Sequence, residues 1–198
     1  MKAGSEGSKN SWRAVVRGRW RWYPLWREQG GTQLLEFALM LPMLLVLAVG
    51  TIDFASGYVL KQKLTNAARE GARIAIEQSM ADLTQPIPNT VQATRNAVVN
   101  YLDNADIDVT AINSTPTKTG VTEWTYSGGG AQIIIDRGVA IPVSAGGVTT
   151  VSLGTRVTVR YPFTWTFAQV IQIMIQPPPS YSNTILISAN VVMKQIAN

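Results

Sequence analysis

From Phe37 to Ile52 the chain carries no charged residue, and apart from Glu36 and Asp53 its apolar character runs from Leu34 to about Leu60. A helix crossing hydrocarbon needs about 20 mostly apolar residues at about 1.5 Å rise each. The run is long enough, so it predicts a membrane-spanning helix. Pro42 would cost about 3 kcal/mol inside an ordinary helix, but membrane helices tolerate it where neighbours re-satisfy the freed carbonyl. A kink near Pro42 is expected.

The mouth of the run, Gly31-Thr32-Gln33-Leu34-Leu35-Glu36-Phe37, holds one carboxylate five residues after a glycine. At the bilayer centre a carboxylate costs about 2.5–3.5 kcal/mol on insertion scales and less near the interface. Glu36 therefore needs a shallow position or a partner. If a peptidase cut after Gly31, Thr32 would become a free α-amine with a pKa of about 7.7–8.0, a positive charge suited to Glu36 of a neighbouring subunit. An ordinary secretory signal competes for the same run. Against it, the basic region is unusually long, the 16 uncharged residues exceed the usual length of about 7–15, and the helical pattern continues past Ala48-Val49-Gly50.

Several features occur in order: the Gly31 to Phe37 motif, the apolar helix with an early Pro42, Asp53-Phe54, and the block Ala67-Ala68-Arg69-Glu70-Gly71-Ala72-Arg73. Together they resemble the TadE-like pseudopilins of bacterial tight-adherence pili. The resemblance is strong over residues 31–73. Beyond them it is only an outline, in a strand pattern from Val157 to Phe163 and another ending at Ile187 to Lys194.

The resemblance implies that a prepilin peptidase cuts after Gly31, reading Gly31, Thr32, Glu36 and Phe37. It implies that Glu36 acts in assembly, for which the Thr32 amine is the candidate counterion; Asp53 is a further candidate assembly contact. The implied partners are the peptidase, other pilins or pseudopilins, the pilus assembly machinery and membrane lipid. No cofactor and no nucleic acid are implied.

Charge supports the same layout. Residues 1–31 hold seven basic side chains (Lys2, Lys9, Arg13, Arg17, Arg19, Arg21, Arg27) against two acidic ones, which accounts for the whole net charge of +5. Trp12, Trp20, Trp22 and Trp26 are interleaved with them. Beside an apolar helix such an arm marks a cytoplasmic flank facing anionic lipid, rather than a nucleic-acid-binding arm. Lys61, Lys63, Arg69 and Arg73 on the far side weaken orientation by charge alone. The resemblance therefore sets the direction: amino terminus in the cytoplasm, carboxy-terminal domain outside the cytoplasmic membrane. The absence of cysteine means no disulfide framework, so packing must hold that domain.

The expected organisation is a basic leader at 1–31, a transmembrane and stalk helix at 32–79, and a small α+β domain with an antiparallel sheet at 80–198. Ala67, Ala68, Gly71, Ala72 and Ala75 form a small-residue face, suited to packing on the protein's own sheet or on another subunit. Thr84, Pro86, Pro88 and Asn89 predict a loop near 80–90, followed by a helix from Thr90 to Asn104. Alternation predicts strands at Ile107–Ile112, Gln132–Asp136, Gly138–Val143, Val148–Tyr161 and Thr184–Lys194, with a bulge or turn at Gly154. Phe163 to Ile175 fits either a helical stripe or a strand followed by an apolar surface helix, serving as core, membrane contact or partner contact. Pro177-Pro178-Pro179 ends it. Ser127-Gly128-Gly129-Gly130 and Gly146-Gly147 read as flexible loop tips.

Catalytic chemistry has little starting material. Without His or Cys there is no common triad base, thiol nucleophile or usual zinc ligand. Asp103, Asp106 and Asp108 lack the remaining positions of a calcium loop and read as a solvated turn. Asp53 lies about 26 Å from Glu36 by helical rise. It marks the outer bilayer edge or meets Lys61 or Lys63 of another chain. The expected role is structural, in pilus biogenesis, adhesion and surface colonisation. The alternative is an uncleaved, signal-anchored protein whose outer domain binds a ligand.

Overall fold

The computed structural model describes residues 29–167, 169 and 183–195. The basic leader before residue 29, most of the apolar stretch after Phe167 and the three prolines lie outside the described residues. The chain divides into two units, Met1–Leu41 and Pro42–Asn198. In the first, the described residues are helical, and every one from Gly31 to Leu41 is exposed. Helix α1 is assigned over Gln29–Glu77 with Pro42 inside it. The second unit is α+β: the rest of α1, helix α2 (Asn89–Asn104) and strands β1 (Thr117–Lys118), β2 (Glu123–Gly128), β3 (Ala131–Ala145), β4 (Val148–Thr164) and β5 (Thr184–Lys194).

The strands form one antiparallel sheet in chain order, β1-β2-β3-β4-β5. The glycine pairs predicted as flexible tips are instead tight two-residue turns. Gly129 and Gly130 join β2 to β3, and Gly146 and Gly147 join β3 to β4, each with positive φ. Positive φ at both central residues matches the right-handed twist of the flanking strands, and glycine meets it without steric cost. Ser127 and Gly128 belong to β2, a strand that periodicity had not marked.

Gln132–Asp136 and Gly138–Val143 are one strand rather than two. Between Asp136 and Val139 the pairing to β4 slips, so that Arg137 and Gly138 oppose Thr155 alone. This bulge lies on β3, beside Gly154 but not at it. It accompanies an inward-facing Arg137, which is fully buried.

Both helices cover one face of the sheet. On α1 the buried positions Asp53, Gly57, Leu64, Ala67, Ala68, Gly71, Ala72 and Ala75 follow the helical period. A Cβ at Gly71 would overlap Val98 of α2, so the small-residue face serves close packing within the domain. The core adds Val91, Val98 and Leu102 from α2, Trp124 and Tyr126 from β2, Ile133 and Ile135 from β3, and Val157 and Val159 from β4.

The end of α1 is closed from the sheet. Arg137 Nη2 donates to the carbonyls of Ala75 at 2.7 Å and Gln78 at 2.9 Å, and Nη1 to Ser79 at 3.4 Å. Gln195 Nε2 donates to Ile76 and Gln78. The last carbonyls of a helix lack intrahelical donors and carry the negative end of its dipole, so a buried guanidinium satisfies both demands. Burial pushes the Arg137 pKa down while the Asp82 carboxylate pushes it up. Asp82 in turn accepts from the Thr90 N–H at 2.9 Å and hydroxyl at 2.7 Å, capping the start of α2.

The strand expected at Ile107–Ile112 is a loop. Its alternation is real but records burial, not pairing: Ile107, Val109 and Ile112 enter the core. Each contributes about 1.5–3 kcal/mol relative to exposure, enough to fix a segment with no ladder. Asp108 instead turns back to accept from the Thr110 N–H and hydroxyl, which holds its carboxyl below the usual range. Arg95 Nη2 ties the loop to α2 through the Ile112 carbonyl at 3.0 Å.

Asp106 adopts φ 57°, with Asp106 N–H bonded to Asp103 and Ile107 N–H to Leu102. This is a Schellman closure of α2, with Leu102 and Ile107 supplying its apolar contact. An aspartate pays a conformational cost here that glycine avoids. Asp106→Gly is expected to stabilise the fold by about 0.5–1 kcal/mol, read as a rise in Tm. A fall in Tm would show that the Asp106 side chain itself supports the turn.

Candidate functional site

The predicted processing residues sit at the front of α1, where the fold leaves the helix bare. Gly31, Thr32, Glu36 and Phe37 are all exposed, as are Leu34 at 72% and Leu39 at 78%. The apolar segment is long and uncharged enough to cross a membrane, and none of its most apolar 18-residue window is buried inside the structure. Glu36 has no hydrogen bond or ion pair to any other described residue. A Cβ at Gly31 would meet nothing within 4 Å. Packing among the described residues therefore does not require glycine there, although glycine in a helix interior costs about 1 kcal/mol against alanine.

Asp53 stands elsewhere. It is 4% exposed, and its Oδ2 accepts the Phe167 N–H at 2.6 Å. Lys61 and Lys63, the candidate partners from another chain, donate within this chain to the Ser188 and Ala105 carbonyls. A carboxylate against an apolar helix needs such a donor, because an unpaired one would bear the full desolvation penalty. The structure thus gives Asp53 a partner within its own chain, 114 residues away.

Sequence reasoning singled out Asp53-Phe54 but missed what surrounds it. Trp165 meets Phe54 and Phe163 edge-on, with ring centroids 5.5 and 5.1 Å apart. The Phe167 ring lies over Gly50, while Phe163 and Ile187 lie over Gly57. The available signal was the pairing of two small helix positions, Gly50 and Gly57, with an aromatic-rich run in the last third of the chain.

Elsewhere the described residues line open depressions. One, of about 630 Å³, is lined by Val59, Leu60, Lys63, Asp106, Ile107 and Tyr161. Another, of about 430 Å³, lies on the free face of the sheet among Glu123, Asp136, Arg156, Thr158, Arg160 and Asn190. Burial pushes the Tyr126 hydroxyl up to about 12 and raises that of Tyr161, so both stay protonated at neutral pH. Asp103, Asp106 and Asp108 are separately exposed and used in helix closure and turn formation. Among the described residues, no group of three or more carboxylates gathers as a metal site.

The start of α1 thus presents, among the described residues, an uncovered apolar helix with one carboxylate. No curated protein and no solved structure matches the chain. Residues 31–73, the segment that carries this helix and its small-residue face, match the sequence model of the TadE-like protein family.

Proposed function

We propose that this chain is a structural component of a tight-adherence pilus, a minor pilin or pseudopilin. Helix α1 anchors it in the bacterial cytoplasmic membrane with the amino terminus inside and the sheet domain outside. The observation that carries this reading is the exposed Glu36 on a bare apolar helix, without a partner among the described residues and five residues after a glycine that packing among them does not require. The family match over residues 31–73 supports it independently.

In this reading a prepilin peptidase removes the leader, residues 1–31, and frees the Thr32 amine. That amine pairs with Glu36 of a neighbouring pilin, and the assembly machinery draws the helix from lipid into the nascent pilus. Exchange of lipid for other apolar helices leaves the burial of Leu34 to Ile52 little changed. Direction and register must then come from polar contacts and close packing. The chain supports adhesion and colonisation by its place in the assembly and contributes no catalytic group.

The test is the mature amino terminus. Mass spectrometry is expected to find the membrane-bound chain beginning at Thr32, whereas Gly31→Ala should retain residues 1–31 and yield few or no pili. Intact Met1 in piliated cells with an active peptidase would refute processing. It would favour the uncleaved, signal-anchored binding protein, whose binding surface would be the charged depression on the free sheet face.

A further inference from the structure

The end of the sheet that overlies α1 is apolar and almost free of charge. Across residues 51–60, 163–167 and 184–187 the only charged side chain is Asp53, and it is buried against the Phe167 N–H. Around it Phe54 is 72% exposed, and Ile52, Tyr58, Ile185 and Leu186 are also open to the surroundings. Trp165 packs edge-on against Phe54, and Phe163 against Trp165. Soluble surfaces seldom gather so many apolar side chains from separate elements without a partner.

The position of this cluster identifies the partner. Apart from Glu36, the run from Leu34 to Ile52 is apolar or uncharged over 19 residues, about 28 Å by helical rise and close to one hydrocarbon thickness. The aromatic cluster begins where that length ends. Tryptophan and tyrosine favour the headgroup level, where an apolar ring body and a polar tip are both accommodated. The polar groups interspersed here, Thr51, Ser56, Thr164 and Thr166, are uncharged hydroxyls. Charge resumes only at Lys61.

We infer that this sheet end, together with Phe54 and Tyr58 of α1, is seated in the headgroup region of the bilayer leaflet on the sheet's side. The domain stands directly on the membrane, and no length of α1 lifts it clear. The inference rests on the proposed membrane-spanning role of α1 and adds a second lipid-contacting element, built from strands. Asp53 can lie at this depth because the Phe167 N–H replaces the water it would lose.

The chain has no cysteine of its own, so single cysteines can carry spin labels in the full chain reconstituted into phosphatidylcholine vesicles. Depth is read from collision with oxygen against a water-soluble nickel chelate. A label at Leu45→Cys is expected in hydrocarbon, one at Ser144→Cys in water, and one at Thr166→Cys within about 5–10 Å of the headgroup boundary. Adding Phe54→Asp should move the Thr166 label outward while the far-UV circular dichroism of the sheet domain stays unchanged. A Thr166 label as open to nickel as the Ser144 label, with Leu45 still in hydrocarbon, overturns the inference and leaves the spanning helix standing. So does a depth that Phe54→Asp fails to move. Protection at Thr166 that vanishes when the protein is diluted in lipid assigns the face to a second subunit and likewise overturns it. A Leu45 label in water defeats both readings.

Discussion

Replacing Arg137 with alanine is expected to lower the stability of the sheet domain by about 3–5 kcal/mol, a large share of the about 5–15 kcal/mol that holds a typical fold. The side chain is fully buried and donates to the carbonyls of Ala75, Gln78 and Ser79. Hydrogen bonds from a charged group contribute about 1.5–3 kcal/mol each, and losing the donor leaves buried acceptors unsatisfied. Gln195 still reaches Ile76 and Gln78 but neither Ala75 nor Ser79. Arg137→Met sharpens the test by keeping most of the volume while removing charge and donors. It should cost less than alanine but remain clearly destabilising. Denaturant unfolding of the full chain in detergent, followed by loss of the far-UV sheet signal, reads both. If Arg137→Met matches wild type, burial of the charge has cancelled its hydrogen bonds, and Gln195 with water suffices to close α1.

Why Arg137 escaped sequence reasoning is instructive. A charged residue between Asp136 and Gly138 looks like the gap between two short strands. Only the bulge opposite Thr155 shows that the chain continues and turns the guanidinium inward. Periodicity located α2, β4 from Val148 and β5, although on β4 Val157 and Val159 are buried while Val151 and Leu153 stay exposed, and β5 buries only Ala189. It misled at Ile107–Ile112, because alternation reports which side chains are buried and leaves open whether the backbone has a neighbouring strand. It missed β2, whose buried Trp124 and Tyr126 are only two positions set among glycines and polar residues. At the candidate site the spacing from Gly31 to Glu36 was legible because it lies within one helical segment. The Asp53 contact was not, because its donor comes from Phe167, and no local pattern links residues so far apart.

In the proposed pilin role, Glu36→Ala is expected to leave cleavage after Gly31 intact, keep the chain in the membrane and reduce piliation by about ten- to a hundredfold. The magnitude follows from one charge-assisted contact per subunit junction, at about 1.5–3 kcal/mol, with each 1.4 kcal/mol amounting to about tenfold in association. Membrane retention should survive because the substitution removes the one residue that opposes insertion. At the bilayer centre that residue costs about 2.5–3.5 kcal/mol, and less at a shallower depth. Stability of the outer domain should also survive, since Glu36 is exposed and has no partner among the described residues. A loss of pili with normal size, localisation and Tm would therefore read the carboxylate itself. Glu36→Gln separates charge from shape: it retains an acceptor but loses the attraction to an ammonium, and should rescue assembly only slightly. Counting pili by electron microscopy, with the amino terminus and membrane fraction checked in the same cells, decides the matter. Full piliation in Glu36→Ala would remove the ion pair from the mechanism, and register would then have to come from packing along the helix alone.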